Sequence, residues 1–185
     1  MAASAPVGTT PAVLLARHGE TDDNAASRFQ GVRNPPLNAR GREQAAALAA
    51  ELAVAEPAIR EIWASPYARA QETAAIVAAR LGLPVRTDPR IAESDVGDWS
   101  GATYAEVQGR DPAGFQAWVD GDPEHRFPGG ESLAEVRARV ELALADARAA
   151  APTVLLVCHG GVIRSALRAT GHAPRIAGNG EAVAL

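Results

Sequence analysis

The sequence predicts an α/β fold, a three-layer αβα sandwich built on a mainly parallel, mixed central sheet. Apolar runs of strand length alternate with segments of helical period through most of the chain, the order that covers both faces of a parallel sheet. Two of those runs, Val13 to Ala16 and Thr153 to Cys158, read as strands buried on both faces. Each discharges a histidine followed by glycine, as Arg17-His18-Gly19 and as His159-Gly160-Gly161. That pattern delivers polar groups to the C-terminal edge of a sheet, where open α/β proteins bind ligands.

The elements follow in order. After the first strand, Asp22 to Ser27 gives a short helical turn, and Arg28 to Asn38, with Gly31, Pro35 and Pro36, an irregular loop. Asn38 caps a helix over Ala39 to Ala53 that repeats apolar residues at Ala45, Leu48, Ala49 and Leu52. Ile59 to Ala64 is a strand. Ser65-Pro66 starts a helix, serine as N-cap and proline at the first position, running to about Leu81 before Gly82. Pro84 to Thr87 is a brief strand, followed by the glycine-containing stretch Ile91 to Gly101. Thr103 to Asp120 forms short helices broken at Asp111-Pro112. Ser132 and Glu135 make a capping box for a long helix reaching Ala150. The second histidine strand, a helix over Val162 to Ala169 and a last strand at Ala182 to Leu185 complete the order. One domain, 12–185, follows a disordered tail of small residues, 1–11.

Composition narrows the partners. A net charge of −4 gives no bulk attraction to nucleic acid or to anionic membrane. All 18 basic residues are arginine, so lysine is excluded as a Schiff base and arginine is the cationic anchor for anions. A lone cysteine, Cys158, forbids an internal disulfide and suits the cytoplasm, and no run is apolar enough for a signal peptide or membrane span. A homodimer remains open.

Arg17, His18, Arg69 and His159 fall at strand ends or in the first turn of the next helix, Arg69 as the fourth position after Ser65. Two guanidinium groups, two imidazoles and a helix N-terminus at one edge make a pocket for a dianion, phosphoryl above all, because arginine matches phosphate bidentately. The glycine after His18 lets a bulky anion approach the ring. Glu93 is the carboxylate expected nearby, and beside a phosphate it is useful only for moving a proton. Cys158 is expected to point away from His159, His125 and His172 to lie at the surface, and Trp99 and Trp118 to pack, either tryptophan being also placed to line a substrate pocket.

These motifs together resemble the histidine phosphatase superfamily, its phosphoglycerate mutase-like branch. The matching segments are Leu15-Ala16-Arg17-His18-Gly19-Glu20-Thr21 with Asn24, Arg28-Phe29-Gln30-Gly31, Ser65-Pro66 with Arg69-Ala70, Glu93 with Gly97-Asp98-Trp99, Gly130-Glu131-Ser132, and His159-Gly160-Gly161. The resemblance implies a phosphohistidine on His18, a pocket completed by Arg17, Arg69 and His159, and a proton donor at Glu93. It implies supporting contacts from Asn24, Gln30, Gly31 and Gly160, a small phosphate ester as substrate, and neither metal nor other cofactor. Asp23, Arg33-Asn34 and Ser100 depart from the family pattern, and the segment Gly171 to Asn179 is short, which implies less cover over the substrate.

The implied reaction is hydrolysis of a phosphomonoester, because a mutase must exclude water and the stretch between Gly101 and Gly130 has no room for shielding insertions. A cofactor-dependent mutase and a catalytically weak phosphate-binding member are the alternatives. No His-x-His or His-Glu-x-x-His spacing favours a metallohydrolase.

Overall fold

The computed structural model describes residues 12–54 and 59–185; the tail expected at 1–11 lies outside them. In chain order the elements are β1 (Ala12–Arg17), α1 (Asp22–Ala25), α2 (Ala39–Val54), β2 (Glu61–Ala64), α3 (Ala68–Leu81), β3 (Val85–Thr87), α4 (Tyr104–Arg110), α5 (Pro112–Asp120), α6 (Leu133–Ala150), β4 (Thr153–Cys158), α7 (Gly160–Ala169) and β5 (Ala182–Ala184). The sheet order is β3-β2-β4-β1-β5, with β5 antiparallel to β1 and every other pair parallel. The mixed sheet is the one the sequence predicts.

Strand alternation sorts the core into two layers. Val13 and Leu15 of β1 and Val154, Leu156 and Cys158 of β4 pack on α6 and α7. Leu14 and Ala16 with Leu155 and Val157 pack on α2 and α3. A third cluster, Phe29, Val96, Trp99, Val107 and Phe127, with Phe115 and Trp118 against it, forms under α4 and α5 beyond the sheet edge. Among the described residues no helix is long and apolar enough to cross a membrane.

The sheet's topology sets the position of the crevice. Neighbours β1 and β4 run parallel in register, Arg17 opposite Cys158, and the His18 N–H donates to Cys158 O at 3.0 Å. From there the chain after β1 leads to α2 on one face, whereas the chain after β4 enters α7 on the other. Strand ends that part to opposite faces open a cleft between them. Parity then carries His18 and His159 to the same side as Leu14, Ala16, Leu155 and Val157, the side of α3, and leaves Cys158 in the opposite layer. Burial pushes the Cys158 thiol far above its ordinary range, so it is an inert core residue.

Two helix starts differ from the sequence reading. α3 begins at Ala68 with Tyr67 as N-cap, so Arg69 is its second residue, not the fourth. Ser65 does not cap it: its hydroxyl lies 2.7 Å from His159 Nε2, and Asn34 Oδ1 instead accepts from the Ala68 N–H at 2.6 Å. α7 starts at Gly160 with His159 as its N-cap, two residues before the expected Val162. Gly161, a poor helix former, fits there because a Cβ would stand 2.5 Å from Glu93 Oε1.

Candidate active site

His18, at the end of β1, is 2% exposed. Its Nδ1 lies 2.6 Å from Gly19 O, and a carbonyl only accepts, so Nδ1 carries the proton and Nε2 the lone pair. Arg69 Nε donates to that Nε2 at 3.3 Å. Burial foremost, then the Arg69 and Arg17 charges, hold the imidazole well below its usual range and therefore neutral at physiological pH. The ring is oriented, uncharged and nucleophilic at Nε2.

Arg69 is fully buried. Its NH1 donates to Arg33 O at 2.8 Å and its NH2 to Gly31 O at 3.3 Å, so carbonyls fix the fork without neutralising it. Gly31 meets this demand with φ +51°, which turns its carbonyl inward at little steric cost. Thr73 links the two elements, accepting from the Gly19 N–H at 3.1 Å and donating to Arg69 O at 2.8 Å. His159, also fully buried, sets its ring at 5.1 Å from that of His18, edge to face. Its Nδ1 has no partner among the described residues. Burial, then the Arg69 charge, push its basicity well below the ordinary imidazole value.

His18 opens onto a cavity of about 290 Å³ at the strand edge. Arg17, His18, Asn24, Gln30, Gly31, Glu93 and Gly160 line it, as the sequence places them. Arg69 and His159 do not; Arg69 Nε meets the His18 Nε2, and the His159 ring packs against that of His18. Arg17 NH1 donates to Ala177 O at 2.7 Å, while its buried Nε lacks a partner among the described residues. Asn24 has a structural duty too, because Thr21 and Asn24 form the capping box of α1, and Gln30 Oε1 accepts from the Thr21 hydroxyl. Glu93 sits on a loop clamped from α6. There Arg139 NH1 donates to Arg90 O and Ala92 O, both at 2.7 Å, and its other nitrogens bind Glu131.

Several expectations need correction. The glycine after His18 does not clear a path for the anion, since a Cβ at Gly19 would stand 2.2 Å from Gly41 O; it admits the start of α2. The short segment Gly171 to Asn179 does reach the site, for Ile176 and Asn179 line the cavity and Asn179 Nδ2 donates to His18 O at 3.0 Å. His125 is not a surface residue. It is half-buried between Trp99 and Phe127, with ring centroids at 5.4 and 5.0 Å. His172 is exposed, as expected. Trp118 lines the cavity, and Arg164, which the sequence reading passed over, lines it beside Trp118. The one available signal for Arg164 was its place four residues after Gly160, on the same helix face.

A neutral, oriented imidazole facing guanidinium groups at the switch point of an α/β sheet defines a protein that handles phosphoryl groups. The comparisons agree: the chain belongs to the histidine phosphatase superfamily (branch 1), which it matches over residues 13–179. It is 37% identical over 161 residues to a glucosyl-3-phosphoglycerate phosphatase of Mycobacterium tuberculosis, covering 82% of this chain and 71% of that protein. It is 38% identical over 149 residues to phosphoserine phosphatase 1 of Hydrogenobacter thermophilus, covering 80% and 70%. Among solved structures, a mycobacterial glucosyl-3-phosphoglycerate phosphatase with VO3 superposes with a TM-score of 0.83 at 34% identity, over 95% of this chain and 90% of that one.

Proposed function

We propose that the protein is a metal-independent phosphomonoesterase acting on a small phosphorylated metabolite through a phosphohistidine on His18. The observation that carries this reading is the Nδ1 contact to Gly19 O, which leaves a neutral Nε2 lone pair beside Arg69 Nε. In the first half-reaction Nε2 attacks phosphorus, the P–N bond forms, and the ester P–O bond breaks on the opposite side. A phosphorus bonded to Nε2 brings its oxygens next to the Arg69 Nε–H and to the unpartnered Arg17 Nε, which spread the developing charge. The leaving alkoxide takes a proton from Glu93. In the second half-reaction Glu93 accepts a proton from water, the hydroxide attacks phosphorus, and the P–N bond breaks to release inorganic phosphate.

Relatives named as phosphatases of glucosyl-3-phosphoglycerate and phosphoserine support hydrolysis over transfer between substrates. The reduced, buried Cys158 suits a cytoplasmic enzyme. The test is direct. With chelator present, the wild type should hydrolyse p-nitrophenyl phosphate and give an acid-labile, base-stable phosphoenzyme. His18→Ala should give neither while keeping its fold, because His18 belongs to none of the three apolar clusters of the core. Full turnover by His18→Ala would remove the mechanism.

A further inference from the structure

Arg164 is 8% exposed and lines the same cavity, with its guanidinium 4.5 Å from the centroid of the Trp118 ring. Among the described residues it makes no ion pair and no side-chain hydrogen bond. The other arginines of the cavity are engaged: Arg17 binds Ala177 O, and Arg28 binds Gly101 O with Glu106 at 4.0 Å. Its nitrogens keep some contact with solvent in the cavity, so the charge is uncompensated by the described residues and open to an anion that enters there. Burial, with Arg168 next, lowers its pKa to about 10, which leaves it charged at neutral pH.

Its position fixes which part of a ligand it meets. Gly160 opens α7 beside Arg17, at the phosphoryl end. Gly161 faces Glu93, where the leaving oxygen needs its proton. Arg164 follows on the same helix face, about 6 Å further along the axis from Gly160, opposite the far end of the leaving group. Trp118 covers one face of the guanidinium and leaves its N–H edge for the ligand. A single planar fork with a single charge matches a single carboxylate; the phosphoryl end, by contrast, gathers Arg17, Arg69 and two imidazoles. Phe29, Val96 and Phe127 supply the neighbouring wall and compete for no anion.

We infer that Arg164 is the specificity-determining residue of this site and selects phosphomonoesters whose leaving group carries a carboxylate a few bonds from the ester oxygen. The inference rests on the phosphatase reading above and names its substrate class. Matched pairs test it: phosphoserine against phosphoethanolamine, and 3-phosphoglycerate against glycerol 3-phosphate. The wild type should favour the carboxylated member of each pair by about 10- to 100-fold in kcat/KM, the range of a charge-assisted hydrogen bond. In Arg164→Met that ratio should fall towards 1, chiefly through a higher KM for the acids. Arg164→Lys keeps the charge without the fork or the stack and should lie between.

Equal turnover of both pair members by the wild type would overturn the inference even if Arg164→Met failed to fold. So would a full ratio in folded Arg164→Met. Either result leaves the phosphatase reading standing. A wild type inert towards p-nitrophenyl phosphate and towards both pairs would take down that reading first and this inference with it.

Discussion

Substituting Gly19 with alanine tests how the strand end is held. A Cβ there would stand 2.2 Å from Gly41 O, 2.7 Å from Gly41 C and 2.9 Å from its Cα. An ordinary carbon–oxygen approach is about 3.3 Å, so the backbone around His18 or the first turn of α2 must yield by roughly 1 Å. Neither gives easily, because Gly41 N donates to Asn38 Oδ1 at 2.8 Å and Gly19 N donates to Thr73 Oγ1 at 3.1 Å. The carbonyl that fixes the His18 tautomer belongs to Gly19 itself, so the displacement reaches Nε2. A shift of that size near the reacting atoms costs about 100-fold in rate, and overpacking of this kind costs about 1–3 kcal/mol of stability. Steady-state hydrolysis of p-nitrophenyl phosphate and urea unfolding measure the two effects. Gly109→Ala in α4, whose Cβ would meet nothing within 4 Å, is the control and should leave both near wild type. Wild-type rate and stability in Gly19→Ala would refute the packing argument, and an equal loss in both variants would refute its assignment to this contact.

The other expectations concern chemistry and pH. Glu93→Gln should slow alkyl phosphates far more than p-nitrophenyl phosphate, whose phenolate departs with less help; an equal loss on both would mean that Glu93 only positions the ester. His18 and His159 are both depressed well below 6.5, so their contribution to stability is full above pH 6.5 and is lost as pH falls through their folded values. With both titrating in the unfolded chain alone, the slope approaches about 2.7 kcal/mol per pH unit, and the wedged His125 acts with the same sign. Unfolding free energies that stay flat from pH 7 to pH 5 would contradict this. With 3-phosphoglycerate and catalytic 2,3-bisphosphoglycerate, release of phosphate should exceed formation of 2-phosphoglycerate; efficient turnover in a coupled enolase assay would favour the mutase alternative.

What was legible in the sequence was local. The period of two in β1 and β4, with their continuous apolar character, is enough to place His18 and His159 together and to turn Cys158 away. Missed features depend on partners far along the chain. Ser65-Pro66 reads as a helix start, yet the Ser65 hydroxyl faces a histidine 94 residues away, and α3 begins later. Arg164 reads as the polar side of a helix; only the return of α5, which lays Trp118 over it, makes it a buried cation. Gly19 has the same lesson, since the atom that forbids its side chain comes from Gly41.

Two departures from the family pattern, Asp23 and Arg33-Asn34, support one another, whereas the buried hydroxyl of the third, Ser100, has no partner among the described residues. Asp23 and Arg33 each look anomalous alone, but Arg33 Nε donates to Asp23 Oδ2 at 3.2 Å, with Asp23 largely buried and Arg33 half exposed. Such a pair adds at most about 1 kcal/mol of stability, so its consequence is positional. It ties the loop before α2 to α1, and the carbonyl of the same Arg33 accepts from Arg69 NH1. Its neighbour Asn34 caps α3 at Ala68, one residue before Arg69. Both substituted positions thus bear on the backbone that aims the Arg69 guanidinium at His18. The loop before α2 therefore supports the phosphoryl side of the site.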